Sequence, residues 1–287
     1  MSEETNKKNA VAEIVQAIKE PGATNAQVVI PAAKEVVLPA AKQIGKGLED
    51  LFFIFFSPLS NKRMEIEAKQ KEFIEDVEQR VAQIDPEKIT EPNLSITGRA
   101  INEAKFHVED DEIRTMFAKL IAASVNSDYD NATLPAFVEI LKQLSPFDVK
   151  NLIELYNIDK EGLGNNKVSA SIRAYSDPTR GTGVTLINYF IPFKGLISIN
   201  HQYYSASVEN LLRLGIIDIT QNYNLEDNTY QNKLKEHQLY LDVLLEFKDN
   251  VQEDPNFRHK HIDLINGVWD FTSFGQLFIE CCLEEAQ

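Results

Sequence analysis

The stretch DDEIRTMFAKLIAASV, Asp110 to Val125, decides how the rest of this chain reads. Three acidic residues, Asp110, Asp111 and Glu112, stand where the partial positive charge of a helix N-terminus favours carboxylates. Ile113, Met116, Phe117, Leu120, Ile121 and Ser124 then recur at helical spacing, so one face of about three to four turns is meant to be buried. The same period continues toward the N-terminus. Leu94 to Val108 predicts a further helix, with Gly98 permitting a close helix contact. Asn61 to Ile84 predicts a long helix opening at an Asn or Ser cap, its stripe formed by Met64, Phe73, Ile74, Val77, Val81 and Ile84. Pro86 and Pro92 frame the connector between them.

Further upstream lies an internal repeat, VVIPAAKE at residues 28–35 followed by VVLPAAKQ at residues 36–43. Proline is tolerated in a first helical turn, where its missing N–H costs nothing, so a short helix is expected after Pro31 and a longer one from Pro39. Residues 1–10 are polar and read as frayed, with a short helix over Ala10 to Ile18 ended by Pro21-Gly22. The helix from Pro39 runs into the strongest local anomaly, Leu48 to Leu59. It holds four phenylalanines. Leu51, Phe52, Phe53, Ile54, Phe55 and Phe56 are therefore the candidate contact residues, for a membrane or for a protein partner. Burial in a bundle or pairing between chains accounts for them as well, and their run falls far short of the ~20 residues of a spanning helix.

Toward the C-terminus the texture changes. Leu134 to Leu144 predicts a helix, and Ser145-Pro146-Phe147-Asp148 caps the next one, Phe147 to Tyr156, with proline at its first position. Leu163 to Gly183, rich in Gly, Asn and Ser, reads as an exposed loop. Val184 to Ile199 reads as one or two strands broken near Pro192. Ser205 to Leu214 is helical, Gly215 ends it, and Ile216 to Ile219 leaves as a strand. In Gln238 to Phe247 the alternation of Leu239, Leu241, Val243 and Leu245 favours strand over helix. Gly267 to Phe271 is extended, and Thr272 caps a last helix through Leu283. This order resembles winged-helix domains. The expected fold class is thus mainly α: a flexible or short helical segment at 1–26, a helical bundle at 27–144, and a smaller α+β winged-helix-like domain at 145–287.

Charge limits the functions open to such a chain. The formal net charge is −15 over 287 residues. Residues 1–144 carry 17 basic and 24 acidic side chains, and residues 145–287 carry 12 and 20, so neither half is a basic module. Binding to nucleic-acid phosphates needs clustered Lys and Arg. The helix Ser205–Leu214, which would be the reading helix of a winged-helix domain, offers only Arg213, beside Glu209. By this measure nucleic acid is not the expected partner, and a protein-interaction module is expected instead. The opening residues MSEETNKKNAVAEIVQAIKE do not read as a secretory signal, lacking its basic start and unbroken apolar core. Adjacent Cys281 and Cys282 imply no disulfide framework, because a ring between neighbours is strained. The expected location is cytoplasmic, with peripheral membrane association if the phenylalanine helix meets lipid.

No motif announces chemistry. G-x-S-x-G, the P-loop pattern and G-x-G-x-x-G are all missing from the sequence. Gly162-Leu163-Gly164 and Gly181-Thr182-Gly183 lack a strand-to-helix setting. His237, His259, His261 and the cysteine pair lack the paired spacing of zinc ligands, and read as surface histidines and small core cysteines. No catalytic residue, metal site, cofactor or small-molecule substrate is expected.

Several segments together resemble the Abi-alpha family, a bacterial domain associated with abortive infection whose biochemistry is not characterised. They are Leu38 to Leu48 leading into the apolar run, Ile113 to Ser124, Pro135 to Pro146, Leu211 to Ile217, and Phe271 to Phe278. The resemblance implies a phage-defence role but carries no catalytic residues over. The expectation is a non-enzymatic defence protein that acts through protein–protein or membrane contact of its apolar helix, with self-association or a protein partner. A winged-helix regulator binding nucleic acid is the competing reading, and an unrecognised hydrolase or nuclease the third.

Overall fold

The computed structural model describes residues 39–56, 64–161, 167–177, 183–221, 229–254 and 256–284. The helices expected over Ala10 to Ile18 and after Pro31 lie outside them, as do the repeat's first copy and Gly162 to Gly164. Six helices come first: α1 (Pro39–Phe56), α2 (Met64–Val81), α3 (Arg99–Ala104), α4 (Asp111–Ala123), α5 (Ala136–Gln143) and α6 (Pro146–Lys160). Strands β1 (Val168–Tyr175) and β2 (Gly183–Phe190), helix α7 (His201–Arg213) and strand β3 (Ile217–Gln221) follow. Helices α8 (Thr229–Glu236) and α9 (Gln238–Glu253), strand β4 (His261–Phe271) and helix α10 (Ser273–Cys282) complete the order.

Helix α4 is the hub, packed against α2, α3, α5, α6 and α10. Asp110 caps it by accepting from the Ile113 N–H at 3.0 Å. Ile113, Met116, Phe117, Leu120 and Ile121 of the predicted stripe are buried, Ser124 is the half-buried C-cap, and Ala118, Ala122 and Ala123 on the flanks are buried too. Those alanines let neighbours approach a helix that is enclosed on more than one side. The segment expected to be one helix from Leu94 is a single π-helical turn, Leu94–Gly98, followed by α3. Asn93 caps that turn. A methyl group on Gly98 would meet its neighbours at 3.8 and 4.0 Å, ordinary contact, so a close helix approach does not explain the glycine.

The strands form one antiparallel sheet of order β2-β1-β4-β3. One of its two interior strands, β1, lies inside the stretch expected to be loop. VSASIRAY is poor in strand-forming residues, but its Ser and Ala side chains suit a strand covered on both faces, and seven of its eight residues are buried. The Val184 to Ile199 segment supplies a single strand that stops before Ile191. The alternating Gln238 to Phe247 segment is a helix rather than a strand: Leu239, Tyr240, Val243 and Phe247 turn inward while Leu241 and Leu245 are exposed. Gly267 to Phe271 is extended as expected, within the longer β4.

One core cluster runs from Leu48 in α1 to Cys282 in α10. Helix α10 returns to the helical part, where Phe137 of α5 packs on Phe274 and Phe278 with ring centroids 5.3 and 5.4 Å apart. Lys119 of α4 donates to the Leu283 carbonyl. The start of α10 is locked to the start of β3: Thr272 Oγ1 donates to the Gly215 carbonyl and accepts from the Gly275 N–H.

Candidate interaction surface

Helix α1 presents its apolar residues unequally. Leu48, Phe52 and Phe56, spaced by four, are each 4% exposed. Phe52 meets Phe73 of α2 edge-on at 5.7 Å, and Phe56 lies 5.9 Å from the same ring. Leu51 and Phe55 are half-buried against the core, Phe55 reaching toward Gly98. Ile54 is half-buried. Phe53 is 53% exposed, with Glu49 and Asp50 exposed one turn before it. Of the six candidate residues, two are anchors, three form the flanks, and one faces outward. Ser57 to Leu59 lie outside the described residues.

The anchors set an energy scale. Burying a Leu or Phe side chain contributes about 1.5–3 kcal/mol. Undocking Leu48, Phe52 and Phe56 together would therefore cost on the order of 5–9 kcal/mol, comparable to the whole stability of a domain. Burial against α2 holds the inner face, and the outer face is the part available for contact. The seam is also acidic. Burial raises the pKa of Glu78 on α2, and the neighbouring carboxylates Glu49 and Glu75 raise it further. A surface carrying these charges is repelled by anionic lipid.

Helix α7 carries the other candidate surface. Its single basic side chain, Arg213, donates to Gln143 Oε1 at 2.9 Å and to Asn210 Oδ1 at 2.7 Å, which fixes it against α5. Glu209 is exposed on the same helix. The guanidinium is thus occupied within the protein.

Several other titratable groups have contacts within the protein. Asp111 pairs with Lys69 at 3.0 Å and Arg114 at 2.9 Å. His237 caps α9 through Nδ1, and burial lowers its pKa. His259 packs beside Phe257. Both cysteines are free and buried; burial pushes the Cys281 thiol up to about 11 and Cys282 well above its usual range. Among the described residues no three His, Cys, Asp or Glu side chains are grouped to hold a metal, and no helix is long and apolar enough to cross a membrane.

Comparison with known families places a match over residues 65–282, to a family model described as abortive infection alpha. The blocks at Ile113 to Ser124, Pro135 to Pro146, Leu211 to Ile217 and Phe271 to Phe278 fall inside it. Helix α1 falls outside. No curated protein and no solved structure matches the chain.

Proposed function

The chain belongs to the abortive infection alpha family, and on that premise we propose that it is a non-enzymatic phage-defence protein acting through protein contact of helix α1. The observation that carries the reading is the division of α1 into a docked inner face and an outer face centred on Phe53. Exposed Glu49 and Asp50, and the net charge of −15, favour a protein surface over anionic lipid. No catalytic group is assigned in this reading: both thiols are buried with raised pKa values, and Asp111 is engaged in ion pairs.

We further read the C-terminal part as winged-helix-like, since α7 passes through Gly215 into β3, which pairs with β4. Its role is packing and partner binding. The occupied Arg213 weighs against a nucleic-acid reader.

A phage-challenge assay with Phe53→Asp tests the contact. Protection should fall at least tenfold in plaque count while the circular dichroism spectrum and melting temperature stay those of the wild type. Unaltered protection by Phe53→Asp would show that the outer face of α1 is not the contact. Release of dye from anionic liposomes by the wild-type protein would replace the protein partner with lipid.

A further inference from the structure

A groove of about 600 Å³ opens between the first turn of α6 and the N-terminal half of α7, far in sequence from α1. Its most unusual feature is a nearly buried carboxylate. Asp148 is 6% exposed and lines the groove. Its Oδ2 accepts from the Ser145 N–H at 2.9 Å, Ser145 Oγ at 2.7 Å and Asn210 Nδ2 at 3.0 Å. The Ser145 N–H bond, with the Asp148 N–H donating to Ser145 Oγ at 3.1 Å, forms the capping box of α6, and the three donors together hold the carboxylate in one orientation. Oδ1 takes none of these three bonds, and Asp148 is among the residues that line the groove.

The walls are aromatic. Phe147 and Tyr204 meet edge to face at 4.9 Å, and Tyr204 is held by a bond from its hydroxyl to the Lys194 carbonyl. Tyr203 stands at the rim, 70% exposed. Arg213 does not neutralise the carboxylate directly, because the Asn210 amide stands between them, donating to Asp148 and accepting from Arg213.

We propose that this groove binds an arginine side chain of a partner protein. The fixed carboxylate gives a guanidinium a charge-assisted hydrogen bond, and the exposed ring of Tyr203 at the rim offers a face to its plane, since Tyr204 is already stacked on Phe193. The apolar stem of arginine lies along ring surface. The strongly acidic chain selects a basic partner and speeds its encounter. This inference does not depend on the role of α1, and either can fail alone.

The probe is N-acetyl-arginine N-methylamide, titrated into the full chain with tyrosine resonances followed by NMR, beside the citrulline analogue as a neutral isostere. The arginine compound should shift the Tyr203 and Tyr204 signals with a Kd on the order of 1–10 mM. Asp148→Asn should weaken it roughly tenfold or more, and Tyr203→Ala by roughly threefold. Tyr203 is exposed, so that variant reads binding without risk to the fold, and citrulline should give no saturable shift. Equal binding of citrulline, arginine binding undiminished in both variants, or no shift with the arginine probe would each overturn the proposal.

Discussion

Two glycines illustrate how little a residue's identity says about the space around it. A methyl group on Gly275, in the first turn of α10, would lie 1.9 Å from the Ile216 carbonyl oxygen, and the backbone there is held by the Thr272 bonds. Gly275→Ala must therefore push α10 away from β3. It should destabilise by about 3 kcal/mol or more, read as a lower urea midpoint. Gly98 has ordinary helical backbone and room for a methyl group. Gly98→Ala should be neutral or stabilise by roughly 0.5 kcal/mol, because alanine restricts the unfolded chain and favours helix. A Gly98→Ala loss matching that of Gly275→Ala would contradict the packing described. Nothing in the sequence separates the two glycines; the neighbour that matters comes from another element.

The elements were legible to different degrees, and the differences have causes. Caps are local chemistry, so Ser145 with Asp148 and Thr272 before α10 could be read directly, and both bonds are present. Helix α9 was misread because Leu239, Val243 and Phe247 are spaced by four, which suits a helix and an alternating strand alike. Strand β1 was missed because its small residues answer to neighbours on both faces rather than to any local preference. The seam between α1 and α2 carries a pH signature. Glu78 has a raised pKa in the folded state, so its ionisation opposes folding at neutral pH, and the penalty disappears as pH falls through the folded value toward the ordinary carboxylate range. Glu78→Gln should raise the urea midpoint at pH 7, with the difference from wild type vanishing near pH 4. A difference that is constant with pH would exclude this origin.

At the scale of the molecule, the continuous core makes a thermodynamic claim. Trp269 is the only tryptophan and is fully buried in the sheet, while most of the helix lies N-terminal to it. Because α10 ties the two parts together, tryptophan fluorescence and far-ultraviolet circular dichroism should report one coincident urea transition. Two separated midpoints would mean that the helical and α+β parts unfold independently. The same architecture sets the candidate surfaces apart, α1 resting on α2 and the Asp148 groove lying between α6 and α7.

Periodicity and capping act within a few residues along the chain, so the helices among the described residues of the N-terminal half, the apolar stripe on α4, the principal caps and the family resemblance were legible in the sequence. It also singled out the six residues from Leu51 to Phe56, though not their division. That Phe52 and Phe56 turn toward Phe73 while Phe53 faces out, that β1 is an interior strand, and that Asp148 meets Asn210 of α7 became visible in three dimensions alone. Each of these depends on which distant element lies opposite, and burial is a property of the pair rather than of either partner.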